Sequence, residues 1–172
     1  SKHLLPEGKI FLLFSSLTQK EKINLILSQY LFTFQEIDRE KVAFEELYVY
    51  QIEKSPLLRQ LEGKCIESIR YYTQGKRGLI YRGVLDCNLF VKKFIPLQNK
   101  YVHVAIKVKK EESKAEDTIA REVMWLEKLN RFGIGPKLIF STTDFVVTDF
   151  INGENLPEWV ENHSPEEIKV VF

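Results

Sequence analysis

Val102-His103-Val104-Ala105-Ile106-Lys107-Val108 is the stretch on which the fold turns. Small and branched apolar residues recur through it, and the pattern suits a strand, whose side chains alternate between two faces. Its one lysine stands next to last. An ammonium group in a half-buried strand is costly unless it finds a partner. Fifteen residues later comes Glu122, inside the best helical segment of the chain, Thr118 to Asn130. Ile119, Glu122, Leu126 and Leu129 share one face of that helix. A charge in an apolar strand and a charge on an apolar helix face account for one another if helix and strand pack together.

The surroundings extend this picture. Upstream, Gly75-Lys76-Arg77-Gly78 lies between Ile66–Tyr72 and Leu79-Ile80-Tyr81, the arrangement of a hairpin closed by a glycine turn. Leu85 to Tyr101 is a long mixed stretch before the lysine strand, and Lys109 to Asp117 is charged and expected to be solvated. Downstream, Gly133 and Gly135-Pro136 end the helix. Lys137–Phe140 and Phe145–Phe150 form two more strands around a turn at Thr142-Thr143-Asp144. Asn152-Gly153 is a turn, and Leu156–Val160 begins a helix. Ser164, as N-cap, and Pro165 begin another, whose apolar positions Ile168, Val171 and Phe172 have only started to repeat. The natural protein is therefore expected to continue.

Residues 1–62 are expected to form a separate small α/β module, and 63–172 the main unit. Lys9 to Phe14 suits a buried strand. Thr18 and Glu21 have the spacing of a capping box. Ile23, Ile26, Leu27, Tyr30, Leu31 and Phe34 form a helical stripe, with a strand beginning near Phe32 and running to Ile37. Phe44 to Ile52 fits either a strand or a helix. Ser55-Pro56 opens a short helix that Gly63 ends. A β-α-β-like module and a winged helix both fit, and no motif there carries chemistry.

Composition sets limits. With 44% hydrophobic residues in 172, a real core can form. The formal net charge of +1 gives no argument for a nucleic-acid or membrane partner. No apolar run approaches the roughly 20 residues that span a bilayer. The apolar run at Ile10–Phe14 is too short for a signal-peptide core. Cys65 and Cys87 lack metal-site spacing and are expected to be reduced. A soluble cytoplasmic chain is the expectation.

Glycine turn, strand lysine and helix glutamate, in this order, resemble the amino-terminal lobe of protein-kinase-like proteins from about residue 65 onward. Gly75 and Gly78 match the second and third glycines of the G-x-G-x-x-G-x-V loop, and Ile80 its valine; Thr73 replaces the first glycine. Lys107 resembles the third-strand lysine and Glu122 the glutamate of helix αC. Val146-Val147-Thr148-Asp149-Phe150-Ile151 resembles the fifth strand and hinge. Gly133-Ile134-Gly135-Pro136-Lys137-Leu138 is similar to small atypical kinases, the RIO and archaeal predicted Ser/Thr kinases among them. From Gly78 to Lys107 is 29 residues, longer than ordinary kinases use, and the excess falls in Leu85–Tyr101.

The resemblance implies an α+β fold: a five-stranded antiparallel sheet with an αC-type helix, preceded by the small module, and without a carboxy-terminal lobe. It implies that ATP is bound with Mg²⁺. Gly75 and Gly78 would let backbone N–H groups approach phosphate, and Lys107, paired with Glu122, would hold the α- and β-phosphates. Ile80 and Ala105 would sandwich adenine, Thr148 would be the gatekeeper, and Asp149 and Ile151 would offer backbone groups to the adenine edge. The metal ligands belong to the missing lobe. So do the H-R-D-x-x-x-x-N and D-F-G patterns, neither of which occurs in this sequence. The 172 residues alone are expected to be inactive. The parent is expected to be a Ser/Thr protein kinase-like enzyme acting on a protein. A pseudokinase scaffold and a small-molecule kinase of the aminoglycoside or choline type stay open as alternatives. An uncovered cleft face bearing Ile80 and Ala105 would also favour self-association.

Overall fold

The computed structural model describes residues 3–75, 78–90, 101–109, 118–154 and 156–163. The Lys76-Arg77 pair, most of Leu85–Tyr101, the charged linker before Thr118 and the helix start at Ser164 lie wholly or partly outside them.

Strand β1 (Lys9–Ser15) leads through a 3-10 turn (Ser16–Thr18) into α1 (Lys20–Gln29), then β2 (Phe32–Val42), β3 (Glu45–Lys54) and α2 (Pro56–Gly63). The main unit follows as β4 (Ile66–Gln74), β5 (Gly78–Asp86), a single turn α3 (Cys87–Phe90), β6 (Tyr101–Lys109), α4 (Thr118–Asn130), β7 (Leu138–Ser141), β8 (Phe145–Asp149) and α5 (Leu156–Asn162). Among the described residues all pairing is antiparallel. The first sheet has the order β1-β3-β2 and the second β4-β5-β6-β8-β7. The α+β content and the five-stranded antiparallel sheet agree with the expectation.

Three details of the first unit differ from the sequence reading. Thr18 does not cap α1: it lies in the 3-10 turn, where Ser15 Oγ accepts from the Leu17 N–H, and Gln19 precedes the helix without a side-chain cap. The helical stripe stops early, because Leu31 adopts φ 61° and turns the chain into β2. Ile23 and Leu27 of that stripe pack on Phe14, Tyr48, Tyr50 and Ile52, while Ile26 and Tyr30 stay exposed. The ambiguous segment Phe44–Ile52 is strand from Glu45 onward, paired with β2 and, from Leu47, with β1 as well, and β2 extends through charged residues to Val42.

Helix α2 begins as expected. Ser55 Oγ accepts from the Leu58 N–H at 3.1 Å, and Pro56 occupies the first turn. It buries Leu58 and Leu61 against the second sheet. Together with Leu31 they share one core with Ile66, Tyr81, Leu85, Val104, Ile106, Phe145 and Val147. This covers one face of the five-stranded sheet. Among the described residues, the other face is covered towards β7 and β8, where Ile119 and Leu126 of α4 meet Val146.

The connection from α4 to β7 is fixed by Asn130. Its Nδ2 donates to the Ile134 and Pro136 carbonyls, and its Oδ1 accepts from the Leu138 N–H at 2.7 Å. Gly133 and Gly135 hold φ of 70° and 77° in the loop it braces, a region that favours glycine.

Candidate functional site

The partly uncovered face of the second sheet carries two rows of residues in register. Ile80, Lys107 and Val146 form one row across β5, β6 and β8; Arg82, Ala105 and Thr148 form the next. Strand alternation requires this, since Val104 and Ile106 point into the core on the opposite side.

Lys107 Nζ donates to Glu122 Oε2 at 2.5 Å, joining β6 to α4. Each side chain keeps about a third of its surface exposed (34% and 33%), so the pair sits at the mouth of the helix–sheet contact and not beneath it. Its apolar floor is Val146, with Ile119 and Val123 of the helix alongside. A pair this exposed adds about 0–1 kcal/mol to stability. It chiefly holds an ammonium group at a set place on an open face.

Gly78 stands beside Lys107. A Cβ there would lie 2.8 Å from the Val108 carbonyl oxygen and 3.3 Å from Lys107 Cγ. Gly75 closes the turn by donating its N–H to the Gly78 carbonyl at 2.9 Å, yet its own missing Cβ would meet nothing within 4 Å. The two glycines thus differ: one is fixed by close approach, the other is open.

At the end of β8, Thr148 is buried and its hydroxyl donates to the Asp149 carbonyl. Asp149 is bound on both sides to Lys137: its N–H donates to the Lys137 carbonyl, and its Oδ1 accepts from the Lys137 N–H. Phe150 donates its N–H to the His103 carbonyl, and Ile151 is exposed. The structure therefore gathers Gly78, Ile80, Ala105, Lys107, Glu122 and Thr148 on one face. Gly75 and Ile151 lie at its margins.

Sequence reasoning missed Arg82 and Phe150. The Arg82 guanidinium stacks over the Phe150 ring at 4.4 Å, and Tyr72 meets that ring edge-on at 5.3 Å. Arg82 is on β5 and Phe150 follows β8, so the two side chains bridge β6 beside Ala105. The signal was available: Arg82 is two residues beyond Ile80 on one strand and must share its face.

Among the described residues no three His, Cys, Asp or Glu side chains come together to hold a metal ion, and no helix is long and apolar enough to cross a membrane. Neither a family model, nor a curated protein, nor a solved structure matches this chain.

Proposed function

We propose that this chain is the ATP-binding lobe of a Ser/Thr protein-kinase-like phosphotransferase, with a protein hydroxyl as phosphate acceptor. The observation that carries the proposal is the Lys107–Glu122 pair, which spans the third strand of a five-stranded sheet and the helix that follows it. The chemistry suits a polyphosphate. A lysine held by one carboxylate keeps N–H donors for phosphate oxygens, and Gly78 leaves no side chain between the β5 backbone and the lysine stem. Ile80 and Ala105 supply the apolar surface that a planar base requires. When bound, ATP would supply the transferable phosphoryl group; these residues would bind and orient it. None of the described residues is given a role in holding Mg²⁺, whose ligands the resemblance assigns to a carboxy-terminal lobe.

One observation favours a second reading, a scaffold that keeps the fold without nucleotide. The Arg82–Phe150 stack lies beside Ala105, where the adenine would sit. Calorimetry with ATP and Mg²⁺ on the full chain and its Lys107→Ala variant separates the two. Nucleotide binding that weakens at least about tenfold in the variant, 1.4 kcal/mol, supports the phosphotransferase lobe. Absence of binding in both supports the scaffold. Self-association through the open face, the accompanying proposal, is tested by light scattering; a monomer at high concentration removes it.

A further inference from the structure

A cavity of about 320 Å³ opens on the same face of the sheet, farther from Lys107, lined among others by Arg70, Tyr72, Arg82 and His103. Arg70 and Arg82 are direct cross-strand partners on β4 and β5. Like charges placed opposite each other in an antiparallel pair destabilise it. Among the described residues neither arginine has a carboxylate partner to offset this. The chain even breaks its register on either side of the pair, between Glu67 and Arg70 and between Tyr71 and Thr73. The stack of Arg82 on Phe150 fixes one guanidinium in advance, and His103 lines the same cavity.

We infer that this cavity binds a phosphate monoester, its oxygens held by Arg70 and Arg82 and its organic part against Tyr72. Two guanidinium groups offer planar, paired N–H donors that match phosphate oxygens, which a lysine does not. The bound dianion would relieve the repulsion between the two strands. The inference stands apart from the nucleotide reading, because Lys107 takes no part in it.

The test is amide NMR on the ¹⁵N-labelled full chain, titrated separately with inorganic phosphate, glycerol phosphate and phenyl phosphate. The expected result is saturable shifts at Arg70, Arg82 and His103. They persist in Lys107→Ala and are lost in the Arg70→Gln/Arg82→Gln double variant. Tighter binding of phenyl phosphate would assign an aromatic ester, and tighter binding of glycerol phosphate an aliphatic one. If the double variant does not fold, Arg82→Lys serves: it keeps the charge, loses the paired donors, and binds several-fold more weakly. No saturable shift, shifts that survive the loss of the arginines, unweakened binding in Arg82→Lys, or shifts that vanish with Lys107, would each overturn the inference.

Discussion

The missing Cβ of Gly78 points at Lys107: a methyl group there would stand 3.3 Å from the lysine Cγ and 2.8 Å from the neighbouring Val108 carbonyl. The backbone oxygen cannot give way without disturbing the β5–β6 ladder. Gly78→Ala is therefore expected to cost about 1–3 kcal/mol, and to weaken nucleotide binding by displacing the lysine stem. Gly75→Ala, with open space around it, should stay within about 0.5 kcal/mol of the parent. Urea denaturation of the two variants checks the contrast; equal losses would contradict it.

Lys107 and Glu122 should behave differently in stability and in binding. Both are a third exposed, so either single neutral variant is expected to lose at most about 1 kcal/mol. Exchanging the two charges, Lys107→Glu with Glu122→Lys, restores the ion pair and should recover that stability. It leaves a carboxylate where the phosphates would lie. ATP affinity should stay lost in the exchanged protein. Recovery of binding along with stability would show that only the pair matters, and not where its cation stands.

Glu36 provides a pH-dependent contribution in the first sheet. Its carboxyl is held below its ordinary value of 4.5 by hydrogen bonds from Lys20 and then Arg39. A lowered folded pKa contributes stability that is present above 4.5 and is lost as pH falls through the folded value. Lys20 is raised above 10.5 by the same bond, so its share is present below 10.5 and lost as pH rises through the folded value. The stability difference between the parent and Glu36→Gln should thus be level from about pH 6 to 9 and shrink below 4.5. Thermal melts across that range give the comparison, and a difference that grows in acid would refute the assignment.

Local signals explain which parts of the fold the sequence made legible. The helical stripe of Ile119, Glu122 and Leu126 locates α4, and the alternation around Ala105 locates β6. The glycine pair marks the β4–β5 hairpin, although which glycine is sterically required depends on where the Val108 carbonyl comes to lie. Asp38, Arg39, Glu40 and Lys41 hide the far end of β2, because an edge strand tolerates charge and so loses its alternation. Leu31 hides the end of α1: it continues the helical stripe in spacing but takes a positive φ and enters a different core. Within the candidate site, Lys107 and Glu122 could be paired from their mutual need. The Arg82–Phe150 stack joins residues 68 positions apart across an intervening strand, and no local pattern carries such a contact.

The packing of α2 bears on whether the five-stranded sheet can stand without the residues before it. Leu61 has no exposed surface and Leu58 almost none, and both belong to the core that contains Val104 and Ile106 behind Lys107. Leu61→Ala removes buried methyl groups from a closely packed site and is expected to cost about 2–5 kcal/mol. Cutting the chain before Cys65 goes further, since it bares Ile66, Tyr81, Leu85, Val104 and Ile106 together. A patch of that kind in water favours aggregation or a loosely packed state. The shortened chain should show no cooperative melt and should bind a hydrophobic dye, whereas the parent melts cooperatively. A shortened chain that melts sharply and stays monomeric would mean that α2 lies on the sheet without supporting it, and the back of the sheet would then need no cover to hold Lys107 in place.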